Sequence, residues 1–293
     1  MGIERLDEAD APVASREQAS DTDGDQALAP ETRDRATYHA EYRATVDAEY
    51  AATRDSWDAA VPELRSTWEA HEARWPSQKD SASPHRPDTL DLEANTEVDR
   101  GCDRIREIGE NVITPAMRII EAEDPDRHLI GLEHRLKGAE RIKEKVAAEI
   151  EARPGLSADQ ALASVPDGIR FTFCYSDEHY VGGVTTDLER LGALGFKMAK
   201  QLKNSWDSDQ YKGINTQWLE PETGQRFEVQ FHTRASFEAK QLSHAAYERI
   251  RNPQTSAAEQ DELEDFQRQV CAKIPIPPGS PQITYAPRKD RDG

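Results

Sequence analysis

The sequence predicts an α+β fold, a set of strands and helices preceded by a helical segment and an acidic tail. Three observations carry this. Apolar residues recur at helical spacing up to about residue 123 and alternate with polar ones in several short runs after about 128. Those later runs, such as Arg170–Tyr175 and Arg226–Thr233, are rich in aromatic and β-branched residues and bounded by turn residues. Only 36% of the 293 residues are hydrophobic, and 37 Lys+Arg face 56 Asp+Glu for a net charge of −19. Part of the chain is therefore too polar to offset its ordering entropy by burial.

Residues 1–34 hold ten acids and three arginines among small residues, and read as a disordered acidic tail. The N-terminus has no apolar h-region, so the expected location is the cytoplasm, or a target cell's cytoplasm if the chain is exported as an effector. No run approaches the length of a membrane span, and the bulk charge argues against membrane surfaces and duplex DNA as partners. Cys102, Cys174 and Cys271 are odd in number and widely spaced, which argues against a disulfide framework or a cysteine metal site. Residues 35–75 form a helical segment with an aromatic stripe (Tyr38, Tyr42, Tyr50, Trp57, Trp68), and Pro62 is expected at a turn or helix start. Residues 76–94 read as a linker and 95–285 as one domain with a leading helix broken or kinked at Pro115. A tail over 286–293 follows.

Within that domain, His128–Lys137 reads as extended, 139–152 as a helix, and Ser157–Gln160 as a capping-box start of a short helix. Strands are expected over Arg170–Tyr175, Phe196–Trp206, Ile214–Leu219 and Arg226–Thr233. A turn at Glu220–Gly224 joins the last two, and helices cover 178–194, 234–251 and 256–273.

Four clusters can carry chemistry. On a strand, Arg135 and Lys137 would share a face, and Arg141 and Lys145 would share one on the next helix, so four cations could meet a polyanion such as a triphosphate. A solvated charged helix with Glu140 and Glu144 as partners is the plainer reading of that segment alone. Asp167 before the strand at Arg170 is either a magnesium ligand or a turn residue, and Arg170 can meet a phosphate. Alternation places Arg226, Glu228, Gln230 and His232 on one strand face, either a wet surface or the floor of a site. The polar loop with Lys203, Tyr211, Lys212, Gly213, Asn215 and Gln217 can stack a base, contact phosphate and let backbone approach a ligand.

Taken in order, Arg135/Lys137/Arg141/Lys145, Asp167…Arg170, Lys203–Gln217, Glu228-Val-Gln230-Phe-His232-Thr233 and His244-Ala-Ala-Tyr247 resemble the synthetase domain of the RelA/SpoT family, the (p)ppGpp synthetases. The resemblance covers about 130–250 and is nearest the small stand-alone, toxin-like type. It implies a nucleotidyltransferase-like mixed β-sheet flanked by helices. The implied reaction is a Mg²⁺-dependent transfer of the β,γ-pyrophosphate of ATP to a 3′-hydroxyl. Arg135, Lys137, Arg141, Lys145 and Arg170 would then bind ATP, and Lys203, Tyr211, Lys212, Gly213, Asn215 and Gln217 the acceptor. Asp167 and Glu228 would bind metal, while Glu228 and Gln230 would address the acceptor hydroxyl.

The acceptor would be GDP, GTP, ADP or the 3′ end of a tRNA. The role would be a growth-inhibiting toxin held by an antitoxin or immunity protein, or an alarmone synthetase in signalling. A catalytically silent nucleotide-binding scaffold is the reading from another class. The sequence departs from the family pattern at three places. Asp167 lies three residues before Arg170 where five is usual, no Tyr follows Gly213, and His232 stands where the family has Arg.

Overall fold

The computed structural model describes residues 56–76 and 90–286, all within the second of two units, Met1–Ala40 and Glu41–Gly293. The expected acidic tail over 1–34, residues 35–55 of the helical segment, most of the linker, and 287–293 lie outside the described residues.

The first described helix, α1 over 56–74, runs through Pro62 without a turn. Its buried residues Trp57, Ala60, Leu64 and His71 lie on one stripe, so this segment is part of the domain core. Helix α2 (Leu92–Ile108) starts inside the expected linker because Asp91 caps it, its carboxylate accepting from Ala94 N at 2.8 Å. A π turn at Gly109–Ile113 links α2 to α3 (Thr114–Ala122). Pro115 therefore sits in the first turn of α3, where a missing N–H costs nothing, and the π turn absorbs its ring. The expected break is one wide turn just before Pro115.

The sheet has five strands: β1 (Arg127–Ile130), β2 (Arg170–Tyr175), β3 (Lys197–Asn204), β4 (Ile214–Leu219) and β5 (Arg226–Thr233). Their order is β1-β2-β5-β4-β3, with β2 and β5 parallel and every other pair antiparallel. This is the mixed, helix-flanked sheet that the sequence predicts. Strand β1 is shorter than expected. Gly131 takes a left-handed conformation (φ 64°) and a 3₁₀ turn at Leu132–His134 follows. Beyond it only Leu136 returns to the sheet, as an isolated bridge to Ile169. The expected strand over His128–Lys137 is thus cut in two. Arg135 and Lys137 consequently do not share a strand face.

Helices α4 (Ala139–Ala152) and α5 (Ala158–Ala163) follow, α5 opened by the expected capping box of Ser157 and Gln160. Helix α6 (Tyr180–Ala193) crosses over between β2 and β3. The expected helix over 234–251 is two helices, α7 (Arg234–Leu242) and α8 (His244–Ile250), parted at Ser243, and α9 (Ala257–Ala272) closes the set.

The sheet faces differ in chemistry. Phe171, Phe173 and Tyr175 join Phe227, Val229, Phe231, Ile214 and Trp218 on the face packed by α6. Tyr180 donates its hydroxyl to the Phe231 carbonyl at 2.8 Å. The Gly182-Gly183 pair inside α6 has a packing cause: a Cβ on Gly183 would lie 2.6 Å from Tyr175 ring carbons. The opposite face, carrying Arg170, Glu228, Gln230 and His232, holds the polar residues. Behind the sheet, Arg127 and Asp187 form a buried ion pair at 2.5 Å, and Tyr175 donates to the same carboxylate at 2.6 Å. Among the described residues no helix is long and apolar enough to cross a membrane.

Breaking a buried pair from one side strands the other charge. Arg127→Met is expected to lower the unfolding free energy by about 3–5 kcal/mol, read as a reduced urea midpoint at unchanged m-value. A loss under about 1 kcal/mol would show that Arg190 and Tyr175 hold Asp187 without Arg127.

Candidate functional site

Parallel pairing sets Arg170 opposite Glu228, and the β4–β5 register sets Gln217 opposite Glu228 and Asn215 opposite Gln230. Five residues from three strands thus form one polar patch. Arg170 holds its centre. Its Nε donates to Glu228 Oε2 at 3.2 Å and its Nη2 to Asp167 Oδ2 at 3.0 Å. One guanidinium therefore ties the two carboxylates together, as its planar fork allows.

Asp167 is nearly buried and gathers cations. Lys145 Nζ donates to both of its oxygens at 2.7 Å, and Lys137 Nζ lies 3.1 Å from Oδ2. Burial alone would raise the Asp167 carboxyl, but the hydrogen bonds and charges of Lys145 and Lys137 outweigh it and hold the group below its ordinary range. Burial lowers the Lys137 ammonium, with Lys145 and Arg170 adding repulsion and Asp167 opposing them. Of the four cations expected to converge, Lys137 and Lys145 do so, and Arg170 joins them at Asp167.

Arg135 and Arg141 do not join them. Arg135 turns to the π turn, where Nη2 meets both Glu110 oxygens at 2.5 Å and Nε donates to Thr114 Oγ1 at 3.3 Å. Arg141 is exposed and pairs with Glu144 at 3.0 Å, so for this residue the solvated charged helix is correct. The wide π turn presents Glu110 and Thr114 together, which no residue spacing in the sequence announces.

At the other end of the patch, Gln230 donates Nε2 to Glu228 Oε1 at 2.6 Å and accepts from Lys240 Nζ at 2.5 Å. Lys240 comes from α7 and is absent from the motifs above. Its only sequence signal is a lysine two turns into the helix after β5, a pattern shared by many solvated helices. Burial, with repulsion from Arg170, pushes its ammonium down to about 8.

The loop residues divide. Tyr211 donates to Asn215 Oδ1 at 2.9 Å and lies 2.9 Å from His232 Nε2, while His232 Nδ1 lies 2.9 Å from Ser236 Oγ. Burial drives the His232 ring well below its ordinary value and raises the Tyr211 phenol, so both are neutral and the ring of Tyr211 is pinned beside the patch. Gly213 is needed for its φ of +144° and because a Cβ would lie 2.7 Å from His232 Cε1, so its role is packing. Lys212 is buried and donates to the Trp206 carbonyl at 2.8 Å, bracing the loop. Lys203 is exposed on β3 opposite Asn215, and Gln217 is half-buried on β4. Tyr247, on α8, is exposed and contacts Arg251.

Among the described residues no group of three or more His, Cys, Asp or Glu could hold a metal by itself. Asp167 and Glu228 are two hard-oxygen groups bridged by Arg170. That donor set fits Mg²⁺, which takes one or two carboxylates and fills its shell with water and phosphate oxygens.

Asp167→Asn removes the anion that lets Lys137, Lys145 and Arg170 coexist. A carboxyl lowered in the folded state contributes stability above its unfolded pKa, and that contribution is lost as pH falls through the folded pKa. The wild type is therefore expected to lose more stability than Asp167→Asn in urea titrations as pH falls through and below the ordinary Asp range. Parallel pH–stability curves would refute the assignment.

No protein-family model matches the sequence, and no curated protein does. Among solved structures, the chain is similar to the small alarmone synthetase 1 from Bacillus subtilis bound to its product pppGpp. That similarity has 16% identity, covers 61% of this chain and 91% of that one, and has a TM-score of 0.41. A GTP pyrophosphokinase family protein from Streptococcus pneumoniae is similar at 16% identity over 63% of this chain and 91% of that one, with a TM-score of 0.42. A Streptococcus mutans protein is similar at 18% identity over 58% and 88%, with a TM-score of 0.41.

Proposed function

We propose that the protein is an ATP-dependent pyrophosphokinase that transfers the β,γ-pyrophosphate of ATP to the 3′-hydroxyl of a nucleotide or an RNA 3′ end. The observation that carries this reading is the pairing of one oriented carboxylate with excess positive charge. Glu228 is held by Gln230 and Arg170, next to Lys137 and Lys145, which share Asp167. Four cations (Lys137, Lys145, Arg170, Lys240) face two carboxylates (Asp167, Glu228), leaving two positive charges for a phosphate-bearing ligand.

In this reading Lys137, Lys145 and Arg170 take phosphate oxygens of ATP, and Asp167 with Glu228 would hold Mg²⁺. Bound Mg²⁺ would supply neutralisation of phosphate charge. Each Glu228 oxygen accepts one hydrogen bond in the protein and keeps a lone pair for a substrate hydroxyl. Glu228 takes the hydroxyl proton as the substrate oxygen attacks the β-phosphorus. The bond from that phosphorus to the α–β bridging oxygen breaks, and AMP leaves with the electron pair. Gln230 and Arg170 fix the carboxylate's direction, so little reorganisation remains at the moment of transfer. Tyr211, Asn215 and Gln217 line the acceptor side of the same patch.

Incubation of the protein with Mg²⁺ and labelled ATP, plus GDP, GTP, ADP or tRNA in turn, is expected to release AMP and label one acceptor. Glu228→Gln is expected to lower kcat by roughly 10²–10⁴. Absence of AMP above that variant with every acceptor would refute the reaction. If the reaction inhibits growth, expression in cells arrests them only with Glu228 intact, and arrest by Glu228→Gln would refute a catalytic toxin.

A further inference from the structure

Beside Glu228 and Gln230 runs a buried hydrogen-bond relay that phosphate binding does not use. It links Ser236, His232, Tyr211 and Asn215. His232 is fully buried on β5, and each ring nitrogen has one partner. Nδ1 lies 2.9 Å from Ser236 Oγ, and Nε2 lies 2.9 Å from the Tyr211 hydroxyl. Gly213 makes room for the ring, since a Cβ there would lie 3.0 Å from Nδ1, and Phe237 packs against it with ring centres 6.0 Å apart.

Proton counting gives this relay a direction. A phenol has one proton, and Tyr211 donates it to Asn215 Oδ1 at 2.9 Å. Tyr211 therefore accepts from His232, so Nε2 carries the hydrogen. A neutral imidazole carries only one, and burial keeps this ring neutral, so Nδ1 must accept. Its donor is Ser236, whose hydroxyl lies closer to Nδ1, at 2.9 Å, than to its alternative, the Thr233 carbonyl at 3.1 Å. The Ser236 oxygen is itself held by Thr233 N at 3.0 Å, within the capping box that opens α7.

The relay ends at the polar patch. Asn215 is half-buried on β4 opposite Gln230, two residues before Gln217, which stands opposite Glu228. With Oδ1 turned to Tyr211, the other end of the amide is left for a ligand, and Nδ2 has no hydrogen-bond partner among the described residues. We propose that His232 is a positioning residue: held by Ser236 with its hydrogen on Nε2, it sets Tyr211 so that Asn215 offers the acceptor substrate N–H donors and no oxygen. The substrate group read at this point is then an oxygen or an unprotonated ring nitrogen. A ligand with an amino group in its place is rejected, because two donors would meet. This rests on the reading that the acceptor hydroxyl comes to Glu228, since Asn215 and Gln217 lie on that side of the patch.

The test joins spectroscopy to kinetics on the full chain. Nitrogen NMR with isotopically labelled histidine, the His232 signals being identified by their loss in His232→Gln, is expected to show hydrogen on Nε2 and none on Nδ1. The kinetics use ATP with whichever of GDP, GTP, ADP or tRNA is turned over best. Tyr211→Phe, which deletes only the hydroxyl, is expected to raise the acceptor KM about threefold to tenfold and leave the ATP KM unchanged. Asn215→Asp keeps an oxygen for Tyr211 but exchanges the N–H groups for a second oxygen, and should raise the acceptor KM further. His232→Gln retains an N–H near the Nε2 position and should stay closer to wild type than His232→Met. Thermal melting of the His232 variants guards against misfolding, and Tyr211→Phe tests the relay without touching the buried ring. Hydrogen on Nδ1, an unchanged acceptor KM in Tyr211→Phe and Asn215→Asp, equal rises in both KM values, or His232→Gln no better than His232→Met would each overturn the proposal. Hydrogen on Nε2 without transfer to any acceptor would sink the pyrophosphokinase reading and support the geometry of the relay. Transfer by an enzyme whose His232 carries its hydrogen on Nδ1 would do the reverse.

Discussion

The parallel pairing of β2 with β5 is the constraint on which the site depends. It alone puts Arg170 opposite Glu228, and so lets one guanidinium join Glu228 to Asp167. A slip of one residue would turn Glu228 into the aromatic core and Phe227 or Val229 toward the polar side. The register is held by that core. Phe173 and Phe231 stack at 6.2 Å, Tyr180 ties the Phe231 carbonyl to α6, and Gly183 lets α6 approach Tyr175. Packing on one face thus fixes chemistry on the other.

Charge within the patch follows from this frame. Lys137, Lys145 and Arg170 come from a bridge segment, a helix and a strand, and would repel one another if Asp167 did not sit among them. Asp167 preorganises the cations, and the two uncompensated positive charges are what a phosphate chain can use. A chain with a net charge of −19 therefore keeps a local cluster of cations, because short-range geometry outweighs a screened bulk field.

Elements far from the patch also shape it. The π turn ahead of Pro115 brings Glu110 and Thr114 to Arg135 and withdraws that arginine from the other cations. Helix α1 covers α7 and α9: Trp57 Nε1 donates to Glu238 at 2.8 Å, and Trp68 lies 5.4 Å from Phe266. Helix α7 carries Lys240, so the aromatic stripe over 56–75 supports the element that places this lysine against Gln230.

Periodicity determined much of this protein. Strands β2, β4 and β5, helix α4 and the capped start of α5 coincide with their patterns, because alternation and capping are local properties of the chain. Glu228, Gln230, Asp167, Lys137, Lys145 and Arg170 were also legible, since strand parity and motif order need no knowledge of contacts. The fate of Arg135, Arg141, Lys212 and Lys240 was not. Gly131 ended β1 early, and a half-buried Glu144 on the same helix satisfied Arg141. A backbone carbonyl took Lys212, and α7 folded back over β5 to deliver Lys240. A charge's partner is set by long-range placement. The sequence by itself determined which residues carry the charge and, on β2 and β5, which strand face they occupy. Only the tertiary structure decided which charges meet, because those distances depend on how the helices pack on the sheet.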